Sequence, residues 1–231
     1  VIVNKHIVDA SQVKDGKYVG SVSLSNFNGH LEIEAGLGFV FFNDNISVAG
    51  YIHAKAGSGI KAGWGIKAGE GIKAGEGIEA GWGIKAGEGI KAGEGIKAGE
   101  GIKAGEGIKA GSGIKAGEGI EAGEGIEAGS GIKAGEGIEA GEGILANLWI
   151  KCKKELSFGY RLYAGLAHWK ETPDTDDDLV ECGKLCGGTV VLGRVVELGM
   201  PEEAAPKQAT ATIKLADGTV MTGQLVEEVE E

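Results

Sequence analysis

From Ile60 to Ile144 an isoleucine falls at every sixth position, fifteen in all. The unit reads Gly71-Ile72-Lys73-Ala74-Gly75-Glu76 and barely varies. A short fixed period means that each repeat is one structural unit stacked on the next. Within it, Ile, Lys and Ala alternate apolar, charged, apolar, which is the period of a short strand with one buried face. Gly-Glu-Gly follows and reads as a corner, since glycine reaches backbone angles closed to other residues. A helix is excluded, because its two glycines per repeat would cost about 1 kcal/mol each. Collagen is excluded as well, because it needs glycine at every third position.

The solution is a β-helix with inward Ile and Ala, Lys on the flat faces and Glu at the corners. Departures from the repeat give the number of sides. Trp64 and Trp82 replace the corner Glu eighteen residues apart, and Ser112 and Ser130 do the same. A coil of three hexads stacks each pair, whereas a coil of two scatters both. The fold class expected is therefore an all-β solenoid, a triangular β-helix with about 18 residues per coil.

This pattern resembles the hexapeptide-repeat, left-handed β-helix family. In Ala74-Gly75-Glu76-Gly77-Ile78-Glu79 the spacing fits with two roles exchanged: Ala takes the aliphatic slot and Ile the small one. The resemblance implies architecture only. The beat continues at Ile150, Leu156 and Leu162, and upstream at Ile33, Phe39, Ile46 and Ile52. Extra residues at the joins 39–46 and 52–60 are expected as bulged corners. These marks give an N-terminal cap over 1–19 and a β-helix over 20–167, roughly eight coils and ~40 Å long. Val1-Ile2-Val3 is read as the start of the stack, and large residues from Leu148 to Trp169 as its widened end. An acidic, mixed α/β cap is expected over 168–231. In it, Thr172-Pro173-Asp174 opens a short helix near 177–185, residues 189–198 are β-rich, and 201–206 form a linker. Asp217-Gly218 turns a hairpin over 210–226.

The chain carries a net charge of −11, and from His168 onward 14 acids face 5 bases. The repeats are polarised too. Lys dominates the second position up to Lys115, after which Glu121, Glu127 and Glu139 replace it. Three-sided stacking sets Glu121, Glu124, Glu139 and Glu142 on one side, with Glu118 and Glu136 at corners of the same coils. These six are the expected contacts for a basic protein partner, with Asp176, Asp177 and Asp178 second. Trp64 and Trp82 are the expected lateral contact of a homo-oligomer. No net basic surface survives to bind nucleic acid directly.

The sequence contains no apolar run of membrane length and no signal peptide, and its first residue is not Met. Cys152, Cys182 and Cys186 make an odd set, which suits a reducing cytosol better than a disulfide framework. The clean repeats hold no histidine to serve as the general base of an acyltransferase. Cys182 and Cys186 lack two further metal ligands. Asp174–Asp178 lacks the glycine and distant glutamate of a calcium loop. Ranks of hydrated Lys and Glu do not suit ice. The expectation is thus a non-enzyme without metal or cofactor.

The hexad run, followed by Arg161-Leu162-Tyr163-Ala164-Gly165-Leu166-Ala167-His168-Trp169, is similar to small repeat-bearing proteins of bacteria and their phages. Among acidic phage proteins that resemble DNA are pentapeptide-repeat rods and anti-CRISPR inhibitors. That resemblance implies a phage or mobile-element inhibitor acting on a nucleic-acid-processing complex in the cytoplasm of a bacterial host. A self-assembling structural protein, bactofilin-like, and an engineered scaffold are the alternatives.

Overall fold

A computed structural model describes residues 4–167, 170, 172, 174–201, and the backbone of 210–214 and 220–224. The chain divides into two compact units, 1–200 and 201–231. The first is an all-β parallel solenoid. Three sheets of ten, eleven and eight strands run through its described residues, and consecutive strands visit the three sheets in turn. We call them faces A, B and C. Face A starts at Asn4–Val8 and ends at Thr189–Leu192. Face B runs from Val13–Lys14 to Arg194–Glu197, and face C from Ile46–Val48 to Lys184–Cys186. The only helical element among the described residues is the 3₁₀ turn Ala10–Gln12.

Register follows the eighteen-residue coil: Ile72 pairs with Ile90, Lys73 with Lys91, Ala74 with Ala92. The same pairing holds on face B, where Ile96 meets Ile114, and on face C, where Ile84 meets Ile102. Identical residues therefore form columns along the axis. Each Ile from Ile60 to Ile150 is at most 1% exposed, and the Ala columns are buried beside them. Fully burying an Ile side chain contributes about 1.5–3 kcal/mol, so these columns supply the driving force. They also fix register, because a one-residue slip would turn Lys inward.

The corner glycines serve a purpose different from the one expected. None in the regular repeats has a positive φ. A methyl group on Gly105 would instead overlap the carbonyl oxygen of Gly87, one coil earlier, and every equivalent glycine meets the same obstacle. Stacked corners approach so closely that only a hydrogen fits. The second glycine of the repeat has more room: a methyl on Gly107 would lie 3.2 Å from the oxygen of Gly125.

Positive φ appears where the hexad is broken. Val40, fully buried, holds the slot expected for Phe39, and Phe39 faces outward. Residues 34–38 and 55–58 stack on one another at the A–B corner through Gly36 N to Ala56 O, 3.0 Å, and Gly38 N to Gly57 O, 2.9 Å. Gly36, Gly38 and Gly57 take φ of 75°, 62° and 70° there, the left-handed region that favours glycine. The buried Ser58 hydroxyl donates to Glu34 O and accepts from Leu37 N. The join 39–46 carries no extra residue, since Val40 and Ile46 are six apart.

The expected helix near 177–185 is not formed. Residues 175–178 turn, Leu179–Cys182 joins face B and Lys184–Cys186 joins face C. Leu179, Val180 and Cys182 are buried, and burying alternate side chains on the end of an existing ladder favours strand over helix. The ladders continue past residue 167: Ile150 pairs with Val180, Leu156 with Leu185, Leu162 with Val190. The mixed α/β character expected beyond 168 is thus replaced by further β coils up to Glu197. In the second unit, Thr210–Lys214 and Val220–Gln224 pair antiparallel, with Lys214 opposite Val220. Val1-Ile2-Val3, Trp169, Pro173, the 202–206 part of the linker and the Asp217-Gly218 turn lie outside the described residues.

Candidate functional site

Corner residues are held by the backbone, so their side chains line up without help from polar contacts. At the B–C corner, Trp82 N donates to Trp64 O at 3.0 Å, Glu100 N to Trp82 O at 3.3 Å, Glu118 N to Glu100 O at 3.3 Å and Glu136 N to Glu118 O at 3.1 Å. At the C–A corner the same bond links Glu70, Glu88, Glu106, Glu124 and Glu142, each to its predecessor. On face C between these corners, Lys85 pairs with Lys67 and Lys103, followed by Glu121 and Glu139.

The six predicted glutamates therefore share one side of the solenoid. Glu118, Glu121 and Glu124 cross face C in one coil, and Glu136, Glu139 and Glu142 repeat the row in the next. Coils rise by about 4.8 Å. Lys103 neutralises Glu121, and Lys154 Nζ lies 3.1 Å from Glu136. Among the described residues Glu118, Glu124, Glu139 and Glu142 have no ion pair.

Sequence reasoning passed over the longest carboxylate array. Glu70, Glu88, Glu106, Glu124 and Glu142 form an unbroken column over five coils, and among the described residues no Lys or Arg pairs with it; His30 Nδ1 lies 3.8 Å from Glu70. The spacing of eighteen could have revealed it. Attention to deviations hid a column made entirely of consensus residues.

The aspartates are engaged within the chain. Asp177 is 7% exposed, accepts from Asp174 N at 2.7 Å, and takes Lys170 Nζ at 2.8 Å on both oxygens. The Lys170 hydrogen bond holds its carboxyl below the usual aspartate value, against desolvation. Asp176 pairs with Lys151 at 3.1 Å and Asp178 with Arg194 at 3.7 Å. Asp177 points inward and holds Lys170 and Asp174 of its own loop, while Asp176 ties that loop to Lys151; of the three, only Asp176 and Asp178 present surface.

Trp64 and Trp82 stack as the eighteen-residue spacing requires. Their rings meet edge to face with centroids 4.5 Å apart, and both remain about half exposed. Unpaired Lys67 and Lys85 lie beside them, so face C runs from aromatic and basic to acidic along the axis.

On each face a line of glycines leaves a shallow trough between the corner column and the central column. The face A trough, about 920 Å³, is lined by Tyr51 and His53 at one end and by Arg161 and Tyr163 at the other. Its Tyr51 reaches Glu32, which lies outside the lining. Glu32 accepts from Lys5 Nζ and Tyr51 OH, both at 2.8 Å, and Lys5 first, then Tyr51, depress its carboxyl. Burial lowers His53. Among the described residues no group of three or more His, Cys, Asp or Glu is placed to hold a metal ion, and no helix is long and apolar enough to cross a membrane.

No family model matches the chain, and no curated protein or solved structure matches it.

Proposed function

We propose that this protein is a non-enzymatic inhibitor, of phage or mobile-element origin and anti-CRISPR in type. In this reading it acts in the cytoplasm of a bacterial host and docks its acidic side on the basic channel of a nucleic-acid-processing complex. The reading rests on one observation. Two adjacent coils carry six carboxylates across face C and its corners, and four of them have no ion pair among the described residues. Backbone stacking fixes the spacing of these residues before any partner arrives, so binding costs little backbone ordering. The C–A column extends the array with one charge per coil at ~4.8 Å, of the order of the 3.4 Å axial spacing of phosphates along one DNA strand.

Attraction of this kind steers association and weakens with salt. The test is plating efficiency of a phage targeted by a nuclease-based defence, in a host expressing this chain. Expression should raise plating at least about tenfold, and neutralising Glu118, Glu121, Glu124, Glu136, Glu139 and Glu142 to Gln should remove the gain. Full protection by the six-fold variant would sink the reading.

A second reading, a self-assembling structural protein, is favoured by a different observation. The last strands of all three faces pair on one side only among the described residues, and Val191, Leu198 and Met200 are exposed nearby. Open strand edges template further pairing. Sedimentation over a range of concentrations separates the two: growing polymers favour assembly, a constant small species favours the inhibitor.

A further inference from the structure

Two cysteines stand in one interior column. Ile150 pairs with Val180 and Lys151 with Glu181. Cys152 N then donates to Glu181 O at 2.9 Å, so the register sets Cys152 against Cys182. Both side chains point into the core, 4% and 0% exposed. They occupy the slot that Ala98, Ala116 and Ala134 fill in earlier coils of face B. Adjacent strands lie about 4.8 Å apart, within the roughly 4.4–6.8 Å Cα separation that a disulfide spans.

Nothing else uses these thiols. Cys152 Sγ lies 3.8 and 3.7 Å from the carbonyl oxygens of Lys154 and Glu155, weak contacts only. Burial pushes Cys152 up to about 12 and Cys182 up to about 11, so while the coils are closed neither serves as a nucleophile or a metal ligand. Cys186 differs: it lies opposite Ser157 on face C and is half-buried.

We propose that Cys152 and Cys182 form a disulfide staple that locks the last coils of the solenoid onto the regular ones. The oxidant is a low-molecular-weight disulfide. One cysteine thiolate attacks it, forming a mixed disulfide and expelling one small thiol. The second cysteine then attacks the protein-bound sulfur and expels the other. Two electrons pass from the cysteines to the oxidant, and the two cysteine protons leave with the two small thiols. Entry is through the end of the solenoid, because Cys182 lies in the strand next to Arg194–Glu197, the last of face B. Terminal elements open locally at low cost, so reaction is slow and limited by fraying. Once formed, the bond spans the irregular 165–178 segment.

The test oxidises the full chain with glutathione disulfide and compares it with the chain kept in dithiothreitol. Peptide mapping without reduction should recover a Cys152–Cys182 link, and the unfolding temperature should rise by about 8 °C. Cys152→Ala, which restores the residue of the repeat, should fold and lose the rise; Cys186→Ser should keep it. Mixed disulfides alone, a link through Cys186, an intermolecular link, or a Cys152–Cys182 link with no rise would each overturn the staple.

Discussion

The coils from 60 to 146 and those from 147 to 197 use the same three ladders but are held in different ways. In the regular stretch the polar side chains contribute little. Ion pairs between two residues of this stretch occur only where the sign changes between neighbouring coils: Lys61 with Glu79, Lys103 with Glu121, Lys109 with Glu127. Elsewhere, apart from Glu79 beside Lys97, like charge stacks mostly on like, and the Ile columns and close-packed corners carry the structure. In the closing stretch the beat weakens and specific contacts take over. Lys170 grips Asp174 and Asp177, Lys151 reaches Asp176, and Arg194 donates to Thr175 O at 2.6 Å. Repetition substitutes for specificity where every coil is alike, and polar contacts hold register where it fails.

The sharpest way to break this contrast is to damage one regular coil. Ile108→Ala removes a side chain 1% exposed from the middle of its column and should cost about 3 kcal/mol in urea unfolding. A loss below about 1 kcal/mol would mean that neighbouring coils close the gap and that the columns do not set stability.

Next come the two glycines of one repeat. Gly105→Ala must push adjacent corners apart and stretch the 3.2 Å bond from Gly105 N to Ala86 O. It should cost about 2–3 kcal/mol, as overpacking does. Gly107→Ala needs only a shift of a few tenths of an ångström from the Gly125 carbonyl oxygen, 3.2 Å away, and should cost under about 1 kcal/mol. Equal losses would return the glycines to the role assigned from sequence, that of flexible corners.

That misassignment shows where sequence legibility ends. Three sides were readable because Trp64 with Trp82, and Ser112 with Ser130, count out one coil. The reason for the corner glycines was not readable, since the obstacle is a carbonyl eighteen residues away that only stacking brings near. The strands after 178 were hidden for a related reason. The 165–178 insertion puts Val180 thirty residues from its partner Ile150 instead of eighteen and leaves Leu185 and Val190 off the beat, and the run Asp174–Asp178 imitates a helix start. Of the candidate site, the six glutamates could be grouped by counting. The internal use of Asp177 could not, because it depends on where Lys170 folds back.

In the closing stretch the contrast predicts pH sensitivity. Lys170 holds the Asp177 carboxyl below its ordinary value. A group depressed in the folded state adds stability that is complete above the unfolded aspartate range. That contribution is lost as pH falls through the folded value. Asp177→Asn should therefore lower the unfolding temperature at pH 7, and the gap to the parent chain should close in strong acid. A gap independent of pH would assign the effect to packing rather than charge.

The smallest effect belongs to the C–A carboxylate column. Like charges on neighbouring strands oppose pairing by a few tenths of a kcal/mol to about 1. Glu106, between Glu88 and Glu124, has no cation within 4 Å, so Glu106→Gln should stabilise the solenoid by about 0.5 kcal/mol at low ionic strength. Salt should erase the gain by screening the repulsion. The sign matters more than the size. A column that costs stability in the free chain fits the docking role proposed for the acidic side. If Glu106→Gln proves destabilising, the column is part of the scaffold and the acidic side loses its claim to be a docking surface.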